Sequence, residues 1–120
     1  MNMDPIYKET TPAFIYLMYA EDLDLYKIGV SKNSSKRIKQ IQTGCPYKLT
    51  LLKEFKSEFP YKIEKSIHNK FRMFKNTEED KNLQGEWFCL TRDVVSDFKQ
   101  ICEEFEGNVR FLREMGNPFA

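Results

Sequence analysis

Seven consecutive residues, Ala13-Phe14-Ile15-Tyr16-Leu17-Met18-Tyr19, carry no charge and no turn former. An apolar and aromatic run of strand length that does not alternate with polar residues must be covered on both faces, so it predicts a central strand. A short polar break, Glu21-Asp22-Leu23-Asp24, precedes a second strand over Leu25-Tyr26-Lys27-Ile28-Gly29-Val30-Ser31. The pair is expected to form a hairpin with a loop of about four to five residues.

Asn33 or Ser34 can cap a helix running through Ile38 and Ile41, which Thr43-Gly44 and Pro46 would end. Leu49 to Phe55 reads as a third strand. Pro60 then opens a helix whose apolar residues Ile63, Ile67, Phe71 and Phe74 recur at helical spacing and predict a core-facing stripe. Asn76 to Gly85 is a polar, acidic loop, Glu86 to Leu90 a short strand, and Thr91 the cap of a last helix over 92–105 that Gly107 ends. Asn108 to Ala120 reads as an arm packed on the body or on a partner. The 120 residues are expected to form one domain, with a core over 13–91 and a C-terminal helix and tail over 92–120.

The net charge of +1 hides a segregation. Residues 26–75 hold thirteen bases against three acids, whereas residues 76–106 hold three bases against nine acids. A basic block between acidic flanks points to a local phosphate-binding face rather than to general attraction for polyanions. Cys45, Cys89 and Cys102 form an odd set without CxxC spacing, against both a disulfide framework and a zinc ribbon. Cys89, alternating with Trp87, is expected to be buried and inert. With no long apolar run and no signal-like start in MNMDPIYKETTP, the chain reads as soluble and intracellular, without a membrane. No heptad pattern supports an oligomer beyond a monomer or weak homodimer.

The hairpin and the helix after it bring together an aromatic hydroxyl, a glycine and a basic helix. Gly29 permits close backbone approach, Lys32, Lys36, Arg37 and Lys39 follow it, and Arg37 can clamp two phosphate oxygens with its planar guanidinium. On the later helix Glu64 and His68 are four apart and share a face beside the apolar stripe. A carboxylate and an imidazole there could hold a divalent ion and move a proton.

The ordered set Ile15-Tyr16-Leu17-Met18, Tyr26-Lys27-Ile28-Gly29, Asn33 through Lys36-Arg37-Ile38, Glu64-Lys65-Ser66-Ile67-His68 and Gly85-Glu86-Trp87-Phe88 resembles the GIY-YIG nuclease superfamily. More narrowly, it looks like the phage- and fungus-associated branch, known for a phage-type DNA-binding domain or a meiotically up-regulated gene product, in which KIG stands where YIG is usual. The resemblance covers residues 13–91. It implies a small α/β (α+β) fold, a three-stranded antiparallel sheet flanked by helices, with an extra short strand and a C-terminal helix here. It also implies cleavage of DNA phosphodiesters with Mg²⁺ or Mn²⁺.

By the same resemblance Tyr16 activates the attacking water or orients the phosphate, and Arg37 steadies the phosphate. Glu64 binds the metal, and His68 carries a proton or touches the phosphate. The first motif has Phe14 where glycine is usual, and the second has Lys27 two before Gly29, with Tyr26 displaced by one. On a strand that shift turns the side chain over, so either Lys27 replaces the second tyrosine or Tyr26 reaches the site round a bulge. The expected function is a metal-dependent endonuclease, with Lys32, Lys36 and Lys39 as further DNA contacts. The alternative is a DNA-binding module on the same fold with weak or lost cleavage.

Overall fold

A computed structural model describes residues 11–78 and 80–116. Strands β1 (Ala13–Ala20), β2 (Leu25–Ser31) and β3 (Leu49–Ser57) form one antiparallel sheet in the order β2-β1-β3. The uninterrupted apolar run is thus the middle strand, and Ile15, Leu17 and Met18 are fully buried. Between β1 and β2 the chain makes one 3-10 turn over Glu21–Leu23 and reverses through Asp24 in the left-handed region. A register irregularity at Leu17/Met18 interrupts the pairing of β1 with β3.

Helices cover both faces. Helix α1 (Ser34–Gln42) packs Ile38 and Ile41 against a cluster of Tyr16, Met18, Ala20, Leu25, Leu49 and Trp87. Its N-cap is Asn33, whose side chain accepts from the Lys36 amide, and the chain leaves it through Gly44 at φ +83. Helix α2 (Pro60–Lys70) buries Ile63 and Ile67 on the opposite face, with Ile15, Leu17, Tyr26 and Ile28. Burying each such aliphatic side chain contributes about 2 kcal/mol. Short helix α3 (Arg92–Ser96) and long helix α4 (Phe98–Glu114) follow, and Phe98, Cys102 and Val109 of α4 complete that second cluster.

Four expectations need correction. The stripe of α2 stops at Phe71, because the chain tightens into a 3-10 turn over Arg72–Phe74 and leaves Phe74 exposed. The strand over 86–90 shrinks to bridges at Phe88, with Tyr26 and with Lys75. Cys89 is exposed. The last helix is broken at Asp97 and passes through Gly107 to Glu114, so residues 108–114 are helix rather than an arm. What carries it past the glycine is packing: Val109 is buried, Arg110 and Arg113 lie 5.8 and 4.9 Å from the Phe59 ring, and buried Glu106 accepts from the Ser57 hydroxyl. The polar leader and residues 117–120 of the tail lie outside the described residues.

Candidate functional site

In the β1–β2 ladder Tyr16 stands opposite Gly29 and Met18 opposite Lys27, so Tyr16, Lys27 and the bare Gly29 share one face of the sheet. Gly29 is needed there. A Cβ at this position would lie 2.3 Å from the Tyr16 hydroxyl oxygen, so the tyrosine ring crosses the space that only glycine leaves open. Tyr26 pairs with Tyr19 on the other face, where the two rings stack at 4.7 Å and join the core beneath α2 and α4. Of the two residues left open at the second motif, the fold therefore brings Lys27 to Tyr16.

Arg37 borders the buried stripe of α1, and its guanidinium lies against the Tyr16 hydroxyl. Burial pushes the phenol above its ordinary value of 10.0, with Arg37 opposing, so Tyr16 stays protonated at neutral pH. The Lys27 ammonium donates to the Gln84 carbonyl at 3.1 Å and sits 5.7 Å from the centre of the Trp87 ring. It fills the place beside left-handed Gly85 where a Cβ would be, 2.3 Å away. Burial pulls its pKa below the ordinary 10.5 and the Arg37 charge adds to this, while Glu64 and Glu86 oppose.

Glu64 comes from the other layer. It follows Ile63 on α2 and so stands at the margin of that helix's buried face, near the open edge of β2, where its charge is felt by Tyr16 and Lys27. Burial raises its carboxyl above the ordinary 4.5, with His68 and Lys27 opposing. His68 Nε2 is 4.0 Å from Glu64 Oε2 but hydrogen-bonds the Ile28 carbonyl at 2.8 Å, and Nδ1 meets Glu86 Oε2 at 3.0 Å. The ring is thus held between the Ile28 carbonyl and the Glu86 carboxyl group. Glu86, held below its ordinary value chiefly by the His68 bond, also pairs with Lys75 at 3.4 Å.

The structure thus gathers Tyr16, Lys27, Arg37, Glu64 and His68 around Gly29. Lys32, Lys36 and Lys39 are exposed, and helical steps turn Lys36 and Lys39 away from the face that Ile38 and Ile41 bury. Among the described residues no three His, Cys, Asp or Glu side chains converge as a metal cage. A single, partly buried carboxylate whose charge is under-compensated still suits Mg²⁺, a hard cation that keeps most of its water and takes its other ligands from a phosphate.

Sequence reasoning missed Glu86, Gln84 and Lys75. The signal for Glu86 was the alternation in Gly85-Glu86-Trp87-Phe88: once Trp87 anchors the cluster under α1, Glu86 and Phe88 must face α2 and its histidine. The same alternation makes this segment a ridge between two clefts. One, of about 470 Å³, lies between α1 and residues 81–85 and is lined by Lys27, Arg37, Lys81 and Trp87. The other, of about 430 Å³, lies along α2 and is lined by Glu64, Lys65, His68, Arg72 and Lys75.

No curated protein and no solved structure matches the chain. A family model does: that of the T5orf172 domain, over residues 13–105, beyond residue 91 into α4. The protein belongs to the T5orf172 domain family, within the GIY-YIG-like, phage-type endonuclease fold.

Proposed function

We propose that the protein is a metal-dependent DNA endonuclease that hydrolyses phosphodiester bonds at the cluster around Gly29. The observation that carries this is the convergence of a protonated phenol, two cations and a half-buried carboxylate from four separate elements, β1, β2, α1 and α2. Family membership is consistent with a nuclease-like or DNA-binding module.

In this reading Arg37 and Lys27 hold the non-bridging oxygens of the scissile phosphate and offset the charge that builds as water attacks. Tyr16, kept protonated, donates a hydrogen bond to a phosphate oxygen or to the attacking water. Glu64 holds Mg²⁺ or Mn²⁺, which when bound polarises the phosphate and its water ligands. The water oxygen bonds to phosphorus as the bond to one sugar oxygen breaks; the attacking water releases its proton to solvent and the leaving sugar oxygen takes one from solvent. His68, held by the Ile28 carbonyl and Glu86, positions the Glu64 side of the site.

The test is nicking of supercoiled plasmid with Mg²⁺, Mn²⁺ or EDTA by wild type, Glu64→Ala and Arg37→Ala. Metal-dependent nicking is expected, and loss of one charge-stabilising donor should reduce the rate by about 10²-fold or more. A wild type that retards the plasmid but nicks it with neither metal overturns the enzyme and leaves a DNA-binding module.

A further inference from the structure

The cleft along α2 is a second basic surface, separate from the lysines that follow Gly29. Lys65, Asn69 and Arg72 recur at four- and three-residue steps, so they form one row on the outer side of α2 and its 3-10 extension. All three are exposed, and among the described residues neither Lys65 nor Arg72 has an acidic partner. Both carboxylates of this cleft are partly exposed, at 43% for Glu86 and 28% for Glu64, but each already has partners, Glu86 in His68 and Lys75, and Glu64 in His68 and Lys27. Beside the paired Glu86 and Lys75, the exposed lining of the cleft adds two cations, Lys65 and Arg72, and the Asn69 amide, with Glu64 in the same cleft.

The cleft on the other side of the ridge is also cationic, with Lys27, Arg37 and Lys81. A DNA strand whose reacting phosphate lies at Gly29 would have the two clefts on its two flanks.

We propose that the Lys65–Asn69–Arg72 row binds the DNA backbone on one side of the reacting phosphate, as a sequence-independent track for flanking phosphates. This rests on the reading of the protein as one that acts on DNA. Such contacts position the strand and carry no base information, so they should show in affinity and salt dependence and leave sequence preference unchanged.

The experiment measures binding of a fluorescent random-sequence DNA duplex by anisotropy, in EDTA, over a salt series. It compares wild type with the double variant Lys65→Gln and Arg72→Gln, and with Lys99→Gln, an exposed lysine on α4, as control. The double variant should bind at least about tenfold more weakly at moderate salt, with a log–log salt slope shallower by about 1.8, two phosphate contacts' worth on a duplex. Lys99→Gln should match wild type. If wild type binds with a steep salt dependence and the double variant matches it in affinity and slope, the track is refuted while the DNA reading stands. If wild type shows no salt-dependent binding, the DNA reading and the track fall together. If Lys99→Gln loses as much as the double variant, binding follows overall charge and the track is refuted.

Discussion

At Gly29 the absence of a side chain does the positioning, since the Tyr16 ring occupies the space a Cβ would take. Gly29→Ala is expected to displace Tyr16, lower stability by about 1–3 kcal/mol and abolish nicking, as urea unfolding and the plasmid assay would register. Lys27 and Tyr26 separate cleanly by face: Lys27→Ala should lose nicking, whereas Tyr26→Phe should retain it and cost no more than about 1 kcal/mol for its hydroxyl's interactions. The reverse result would unseat Lys27. Glu64 gives a pH-dependent prediction. Its folded-state pKa is raised, so stability falls as pH climbs above the ordinary 4.5 until the carboxyl has ionised. Glu64→Gln should then melt higher than wild type at neutral pH and equal to it in acid, and added Mg²⁺ should raise the melting temperature of wild type alone. The grouping of Tyr16, Arg37 and Glu64 follows motif order, and strand parity puts Lys27 rather than Tyr26 on the Tyr16 face. For Glu86 the alternation of its segment gives the face, but not the partner, since His68 lies 18 residues away and nothing local marks the pair.

Elements with their own caps were readable. Asn33 accepting from Lys36, Thr91 accepting from Val94 and Pro60 at a helix start are local chemistry, and each falls where the sequence places it. Asn33→Ala should cost about 1 kcal/mol and weaken nicking by loosening the first turns that carry Arg37. Gly107 misled because glycine is read as a stop, yet here it lies inside α4, outside the left-handed region, with open space where its Cβ would be. Gly107→Ala is accordingly expected to stabilise the protein by about 0.5–1 kcal/mol in urea unfolding without altering nicking; destabilisation would mean that the glycine serves packing. The helix beyond it was hidden because one of its buried positions is filled by Glu106, which an apolar period does not register.

Over the whole molecule the hairpin fixes only the β1–β2 contact. Placing β3 beside β1 and leaving β2 at the rim depends on pairing across the chain, such as Ile15 with Phe55, which no local pattern specifies. That order is what makes the site: Gly29 and Lys27 lie on a rim strand, so α2 on one face and α1 on the other can bring Glu64 and Arg37 to the same place.

A rim strand also presents backbone groups that invite another strand, the usual route to edge-on aggregation. Here Tyr26 gives and receives hydrogen bonds with Phe88, and the Ile28 carbonyl is taken by His68. His68, beside Glu64, is thereby also a seal on the sheet. Removing it should shorten the protein's life in concentrated solution through slow self-association, a defect visible by light scattering even under conditions where no DNA is present.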